Sequence, residues 1–187
     1  MEESKDRPVP IYTRTGDNGT TGTLTGKRVP KQGKIIEAIG STDEAASILA
    51  LARTLLLKEK YPKEAAQVQR ILFALHEIGT LMALEGQSTD NTLGSMTKDM
   101  EKFIDNAQKG LPPLKHFIIP GNSPAPCAIN HARSIVRRME RRIVEALGDA
   151  HSAQDALMFA NRLSDYLFIL TRWIMHKKKE KEIILKK

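Results

Sequence analysis

Apolar residues recur at helical spacing in five separate stretches of the chain, each bounded by residues that start or stop helices. From Lys34 to about Leu57, the positions Ile36, Ile39, Ala46 and Ala50 share one stripe, which Leu49 and Leu56 widen. Ser41 and Glu44 stand at capping-box spacing and could open a helix there, but the periodicity has already begun upstream, which favours the longer helix. Behind Pro62, a good residue for a first turn, Ala65, Val68, Leu72, Leu75, Ile78 and Met82 predict a second helix reaching about Glu85. A polar loop, "GQSTDNTLGS", leads to a shorter helix from about Met96 to Lys109, with Met100, Phe103, Ile104 and Ala107 inward and Gly110 just past its end. The stretch "LPPLKHFIIPGN" is too rich in proline to be helical and reads as an extended connection. The fourth helix has Ser123 as N-cap, Pro124 in its first turn, the stripe Ile129, Ala132, Val136, Met139, Ile143 and Leu147, and Gly148 as its stop. Ser152 can cap the fifth, which buries Ala156, Ala160, Leu163, Leu167, Leu170 and Ile174. No strand pattern and no internal repeat interrupts this sequence. The expected fold class is all-α, an up-and-down five-helix bundle.

A length of 187 residues suits one domain. It divides into an N-terminal loop (1–33), the bundle (34–175) and a basic tail (176–187). Hydrophobic residues at 41% and charged residues at 27% argue against disorder, and no apolar run approaches the roughly 18–20 residues of a membrane span. The single cysteine, Cys127, rules out an internal disulfide or a multi-cysteine zinc site and is expected to pack; no protein metal site is expected. The opening "MEESKDRP" reads as neither a secretory signal nor a transit peptide, so an intracellular location is expected. The net charge of +7 points toward nucleic acid until it is located: "HKKKEKEIILKK" carries six lysines against two glutamates, which leaves only +3 elsewhere. A solvated tail is the expectation, with neither nucleic acid nor membrane as partner.

Several polar residues fall where a plain bundle has no use for them. Asp43 lies inside the apolar stripe of the first helix, where it needs a partner unless the helix is rotated to expose it. In "HARSIVRRMERR", Arg133, Arg137 and Arg141 line up at spacing four, flanked by Arg138, Arg142 and Glu140. That line can be a solvated ion-paired face, a nucleic-acid contact or a site for a compact polyphosphate. In the fifth helix Asn161, Asp165, Phe168 and Arg172 share a side away from the main core. The opening loop, "YTRTGDNGTTGTLTGKRVPK", offers Gly16, Gly19, Gly22 and Gly26 for close backbone approach, threonine hydroxyls, and positive charge from Arg14, Lys27, Arg28 and Lys31. This chemistry suits phosphate, yet it is not a Walker A loop, because "GTLTGKR" has the wrong glycine spacing and Arg28 where Ser or Thr would hold magnesium.

Four segments in order, "IYTRTGDNGTTGTLTGKRVPK", "EAIGSTDEAASILALAR", "LPPLKHFIIPGNSPAPCAINHARSIVRRMERRIV" and "FANRLSDYLFILTRW", resemble the ATP:cob(I)alamin adenosyltransferases of the propanediol-utilisation type. That family includes the mitochondrial enzyme of methylmalonate metabolism, and the resemblance runs from Ile11 to Trp173. It implies a homotrimer with ATP and cob(I)alamin bound as substrates, with Mg²⁺, at subunit interfaces. It assigns ATP contacts to Thr13, Arg14, Thr15, Gly16, Thr21, Gly22 and Lys31, to Arg137, Arg138, Glu140 and Arg141, and to Asn161. It implies an intersubunit ion pair between Asp43 and Arg133, and aromatic contacts to the corrinoid from Phe117 and Phe168, which displace its lower axial ligand. With Arg137, these four are the residues expected to serve catalysis. The chain departs from the family pattern within "DEAASILALAR" and "GNSPAPCAINHAR", which leave Asp43, Glu44 and Arg133 in place. Implied partners are a cob(II)alamin reductase and an adenosylcobalamin-dependent mutase or dehydratase. The implied compartment is the cytoplasm of a prokaryote or the mitochondrial matrix of a eukaryote. Two other classes compete: a basic helical RNA-binding module using "RRMERR" and the tail, and a kinase-like phosphotransferase that would release ADP.

Overall fold

Five helices carry the chain in a computed structural model that describes residues 11–87, 92–119, 121–148 and 153–185. They are α1 (Lys34–Lys58), α2 (Pro62–Ala83), α3 (Leu93–Gly110), α4 (Pro124–Leu147) and α5 (Gln154–Lys177). Ser152, the expected cap of the fifth helix, lies outside the described residues, and Ala153 occupies the N-cap position. α4 begins and ends where its sequence signals stand: Ser123 is extended ahead of Pro124, and Gly148 takes φ +57° to stop the helix. Gly110 is the last helical residue of α3 and not the one beyond it.

α1 packs against α2 and α4, and α5 lies between α4 and α3. Enclosure on two sides explains why α5 buries the predicted stripe and also Phe159, Tyr166, Ile169 and Met175. α1 departs from its predicted stripe. Its buried face is Ala38, Ser41, Thr42, Ala45, Leu49, Ala52 and Leu56, whereas Ile36, Ile39 and Ala46 are half-buried and Ala50 is exposed. Apolar residues surround most of this helix, so periodicity alone does not select the inward face. The small residues that win let α4 approach closely, and the buried Thr42 hydroxyl is satisfied by donating to the Ala38 carbonyl at 2.9 Å.

Four short strands accompany the helices among the described residues, contrary to the expectation of none. β1 (Thr20–Gly22) and β2 (Arg28–Pro30) form an antiparallel hairpin in the N-terminal segment, with Thr21 opposite Val29. β3 (Ile118–Ile119) pairs antiparallel with β4 (Ile183–Ile184), which brings the C-terminal segment back onto the connection between α3 and α4. Strands of two or three residues are too short to display an alternating pattern. No helix among the described residues is long and apolar enough to cross a membrane.

Phe103 links α3 to α5 by ring contacts with Tyr166, at 4.9 Å between centroids, and Trp173, at 6.5 Å. The Tyr166 hydroxyl is buried and accepts or donates no hydrogen bond among the described residues, and burial raises its pKa above the usual phenol value, with Glu64 adding to the rise. An unpartnered hydroxyl contributes nothing to offset its desolvation. Tyr166→Phe is therefore expected to leave stability within about 1 kcal/mol of the parent chain or to raise it. Thermal unfolding checks this, and a loss of about 2 kcal/mol or more would mean that the hydroxyl has a partner.

Candidate active site

The first half of the site is the N-terminal loop. Lys31 follows β2 and its ammonium returns over Gly16: a Cβ on Gly16 would meet Lys31 Nζ at 3.3 Å and the Thr20 carbonyl oxygen at 3.1 Å. A Cβ at Gly16 would therefore crowd the Thr20 carbonyl and require the lysine's end to shift by a few tenths of an ångström. The backbone amide of Lys31 donates to the Gly19 carbonyl at 2.9 Å, closing the loop around its own glycines. Arg14 has φ +59° and its guanidinium lies 5.6 Å from the Tyr12 ring centroid. Thr13 and Thr15 share a hydroxyl hydrogen bond of 2.8 Å, and Arg28 donates to the Thr15 carbonyl at 2.5 Å and to Thr20 Oγ1 at 2.7 Å. Thr21 and Gly22 lie in β1. Arg28, which no assignment singled out, thus holds the loop together.

The loop is tethered to the end of α2. Leu24 donates its amide to the Ala83 carbonyl at 3.1 Å, Thr25 Oγ1 donates to Glu85 at 3.0 Å, and Lys27 Nζ donates to Glu85 Oε2 at 2.7 Å. The Lys27 and Thr25 hydrogen bonds hold the Glu85 carboxyl below the usual carboxylate range. Because its folded pKa is depressed, this tether is present at neutral pH and is lost as pH falls through the folded pKa. Sequence reasoning missed Glu85, since nothing local marks a glutamate just beyond a helix as an anchor for a distant loop.

The second half lies on α4 and α5. Asn161 Nδ2 donates to Glu140 Oε1 at 3.0 Å. Arg137, Glu140, Arg141 and Val144 line a shallow cavity of about 250 Å³. Arg141 donates to the Arg137 carbonyl at 2.8 Å, while the Arg137 guanidinium has no hydrogen-bond or ion-pair partner among the described residues. Arg138 differs: it is ion-paired with Glu44 of α1, and Arg142 is likewise paired with Glu37 at 3.3 Å and Glu145 at 2.8 Å. The arginine array is thus divided, with Arg138 and Arg142 joining α4 to α1 and Arg137 and Arg141 lining the cavity.

Arg133, one turn before Arg137, is half-buried. Its Nε donates to Asn130 Oδ1 at 3.0 Å and its guanidinium lies 6.0 Å from the Phe168 ring centroid. Burial lowers its pKa, and the positive charge of Arg137 lowers it further. No carboxylate of the described chain pairs with it. Asp43 has the converse defect. It is exposed, on the rim of a groove of about 350 Å³ with Leu24, Ile39, His76 and Gly79, and it too lacks an ion pair among the described residues. Of the two readings of Asp43, the structure shows the rotated one: the buried face of α1 is Ala38, Ser41, Thr42, Ala45 and Leu49, and Asp43 is turned outward.

Phe168 lines a second groove, of about 360 Å³, with Leu111, Pro112, Pro113, Leu114 and Arg172. Phe117, three residues further along the same connection, is 82% exposed and not in ring contact with Phe168 among the described residues. Arg172 lines this groove on the same side of α5 as Asp165 and Phe168, as expected, but it is 4% exposed because the α3–α4 connection covers it. Asp165 is occupied by Arg162, at 2.8 Å. Cys127 is exposed, contrary to a core role, although its sulfur closes over Gly121: with φ +101° and Sγ 2.6 Å from a would-be Cβ, only glycine is accommodated there. Among the described residues no hydrogen bond, ion pair or ring contact joins the loop to the α4–α5 cluster.

Residues 11–174 match the family described as cobalamin adenosyltransferase. The chain is 36% identical to the corrinoid adenosyltransferase MMAB of Mus musculus, over 95% of this chain and 77% of that protein. It is 34% identical to a corrinoid adenosyltransferase of Bacillus subtilis, over 87% of this chain and 84% of that protein. Among solved structures, a point variant of the PduO-type ATP:corrinoid adenosyltransferase from Lactobacillus reuteri, complexed with cobalamin and ATP, superposes with a TM-score of 0.88 at 28% identity. That superposition covers 95% of this chain and all of the other.

Proposed function

The chain belongs to the cobalamin adenosyltransferase family, and on that premise we propose that it transfers the 5′-deoxyadenosyl group of ATP to Co(I) of a corrinoid at a site built from two copies of the chain. The observation that carries the composite site is the double charge defect: Arg133, half-buried, and Asp43, at a groove rim, each lack an ion-pair partner among the described residues of their own chain. A heterologous interface of a cyclic trimer would let the Asp43 face of one copy meet the Arg133 face of the next, and would set the loop of one copy against the α4–α5 cluster of the other.

The reaction needs no protein nucleophile. The Co(I) electron pair forms the Co–C bond to C5′ of the ribose as the C5′–O bond breaks, and its electrons leave with triphosphate. Negative charge therefore gathers on the leaving group. In this reading Lys31, the loop amides, Arg137 and Arg141 stabilise it, and they act most strongly where water is excluded. Glu140 and Asn161, already hydrogen-bonded to each other, retain free acceptors and a donor with which to orient the nucleoside. Arg138, committed to Glu44, contributes mainly by fixing α4. No group of three His, Cys, Asp or Glu side chains among the described residues forms a cage, so Mg²⁺ would be held chiefly by the phosphates themselves. Phe168 beneath Arg133 and the exposed Phe117 supply an apolar wedge that favours a corrinoid without its lower ligand, a form that is easier to reduce to Co(I) by a reductase partner. An adenosylcobalamin-dependent mutase or dehydratase would then take the product.

The RNA-binding alternative finds no support in the family or in the arginines, two of which are tied up in ion pairs with Glu44, Glu37 and Glu145. Incubation with ATP, Mg²⁺ and chemically reduced cobalamin tests the activity. The adenosylcobalamin spectrum with stoichiometric triphosphate is expected. Release of ADP, or no spectral change, would overturn the reading.

A further inference from the structure

The connection that carries Phe117 is held at four points by residues from the last turns of α5 and the segment beyond it. Arg172 Nη2 donates to the Pro112 carbonyl at 2.8 Å, and its Nε donates to Glu182 Oε1 at 2.5 Å. β3 and β4 place Ile118 opposite Ile184 and Ile119 opposite Ile183. The Leu185 amide donates to the carbonyl of Phe117 itself at 2.9 Å, and Asn122 Nδ2 donates to the Lys181 carbonyl at 2.8 Å. Upstream, Lys178 fixes the departure of this segment from α5 by pairing with Glu59 at 2.9 Å and Glu180 at 3.1 Å.

The connection cannot hold such a shape unaided. Pro112 and Pro113 have no amide donors, and Phe117 is too exposed to be fixed by packing. Among the described residues, the Arg172 guanidinium hydrogen-bonds to the connection and to the C-terminal segment at once. It lies one turn beyond Phe168 on α5, so it also sets the connection's height above that ring. A rigid fork that meets a carboxylate with one nitrogen and a carbonyl with another fixes direction as well as distance.

We propose that Arg172 and Glu182 are positioning residues for the reaction, and that residues 180–185 form a backing strand which holds Phe117 at the angle needed to exclude the corrinoid's lower ligand. This rests on the reading of Phe117 as the corrinoid wedge. The role is confined to the preparation of Co(I), because neither residue faces the Arg137 cluster or the N-terminal loop.

The test compares two assays on the full-length chain: adenosylation of chemically pre-reduced Co(I) cobalamin, and adenosylation starting from Co(II) cobalamin with a flavin reductase. Glu182→Ala is expected to lower kcat in the second assay by about tenfold, with under threefold change in the first and in KM for ATP. Glu182→Gln, which keeps an acceptor for the Arg172 fork, should recover part of the loss. The EPR spectrum of bound Co(II) cobalamin should show more of the form with its lower nitrogen ligand attached. Phe117→Ala should give the same selective loss, and the double variant should lose no more than Phe117→Ala alone. Equal losses of Glu182→Ala in both assays, or losses that multiply in the double variant, would overturn the proposal. A selective loss in Phe117→Ala with none in Glu182→Ala would overturn it while leaving the wedge intact. Absence of selectivity in Phe117→Ala itself would overturn the wedge and the proposal with it. Arg172→Lys, which keeps the buried charge but not the fork, should behave like Glu182→Ala, so the test stands even if one variant folds poorly.

Discussion

Arg137→Ala is expected to lower kcat for adenosyl transfer by about 10²–10³-fold with little change in the stability of the chain. The guanidinium is exposed and has no hydrogen-bond or ion-pair partner among the described residues, so its removal breaks no structural contact seen there. It also removes a positive charge that already disfavours the protonated form of Arg133. What is lost is a charge facing the triphosphate as it departs. The charge it meets grows along the reaction coordinate, so kcat should fall more than KM for ATP rises. Arg138→Ala supplies the contrast. It breaks an exposed pair with Glu44, worth about 1 kcal/mol at most, and should leave kcat within a few-fold. Steady-state kinetics with pre-reduced cobalamin, alongside thermal unfolding, separates the two. Equal effects would mean that the array acts as a general basic surface.

Asp43→Asn should act on assembly. If Asp43 meets Arg133 across an interface, the substitution leaves a buried cation without its counter-charge, at a cost of about 3–5 kcal/mol per interface. The folded single chain should be nearly indifferent, because there Asp43 is exposed and unpaired. Sedimentation of the variant should show dissociation at concentrations where the parent chain stays associated, with turnover falling in parallel. An unchanged assembly with normal turnover would show that Asp43 is merely solvated.

The apolar runs of α4 and α5 are sharply periodic, which makes both core faces legible, and Ser123, Pro124 and Gly148 fix the boundaries of α4 by local chemistry. The hydrogen bond between Asn161 and Glu140 was not legible, because it joins two helices and neither residue is singled out by local pattern. α1 was misread by rotation, since its small and apolar residues occupy most of its circumference and only packing against α4 decides which are buried. The C-terminal segment was unreadable for a different reason. Its lysines suggest solvation, while its structure depends on a two-residue strand pairing with β3 and on one carboxylate, Glu182, reaching a buried arginine. Such long-range tethers, like that of Lys27 to Glu85, leave no periodic trace.

Mixing two inactive variants tests the composite site most directly. Lys31→Ala removes the loop's ammonium and Arg137→Ala the cluster's guanidinium, and each alone should be nearly inactive. If one chain's loop works with the next chain's cluster in a cyclic trimer, an equimolar mixture refolded or co-expressed together restores one intact site in every mixed trimer. About a quarter of all sites should then make adenosylcobalamin. If each chain used its own loop with its own cluster, no mixture would contain an intact site. Activity no higher than that of the separate variants, in a preparation shown to contain mixed assemblies, would contradict the shared site.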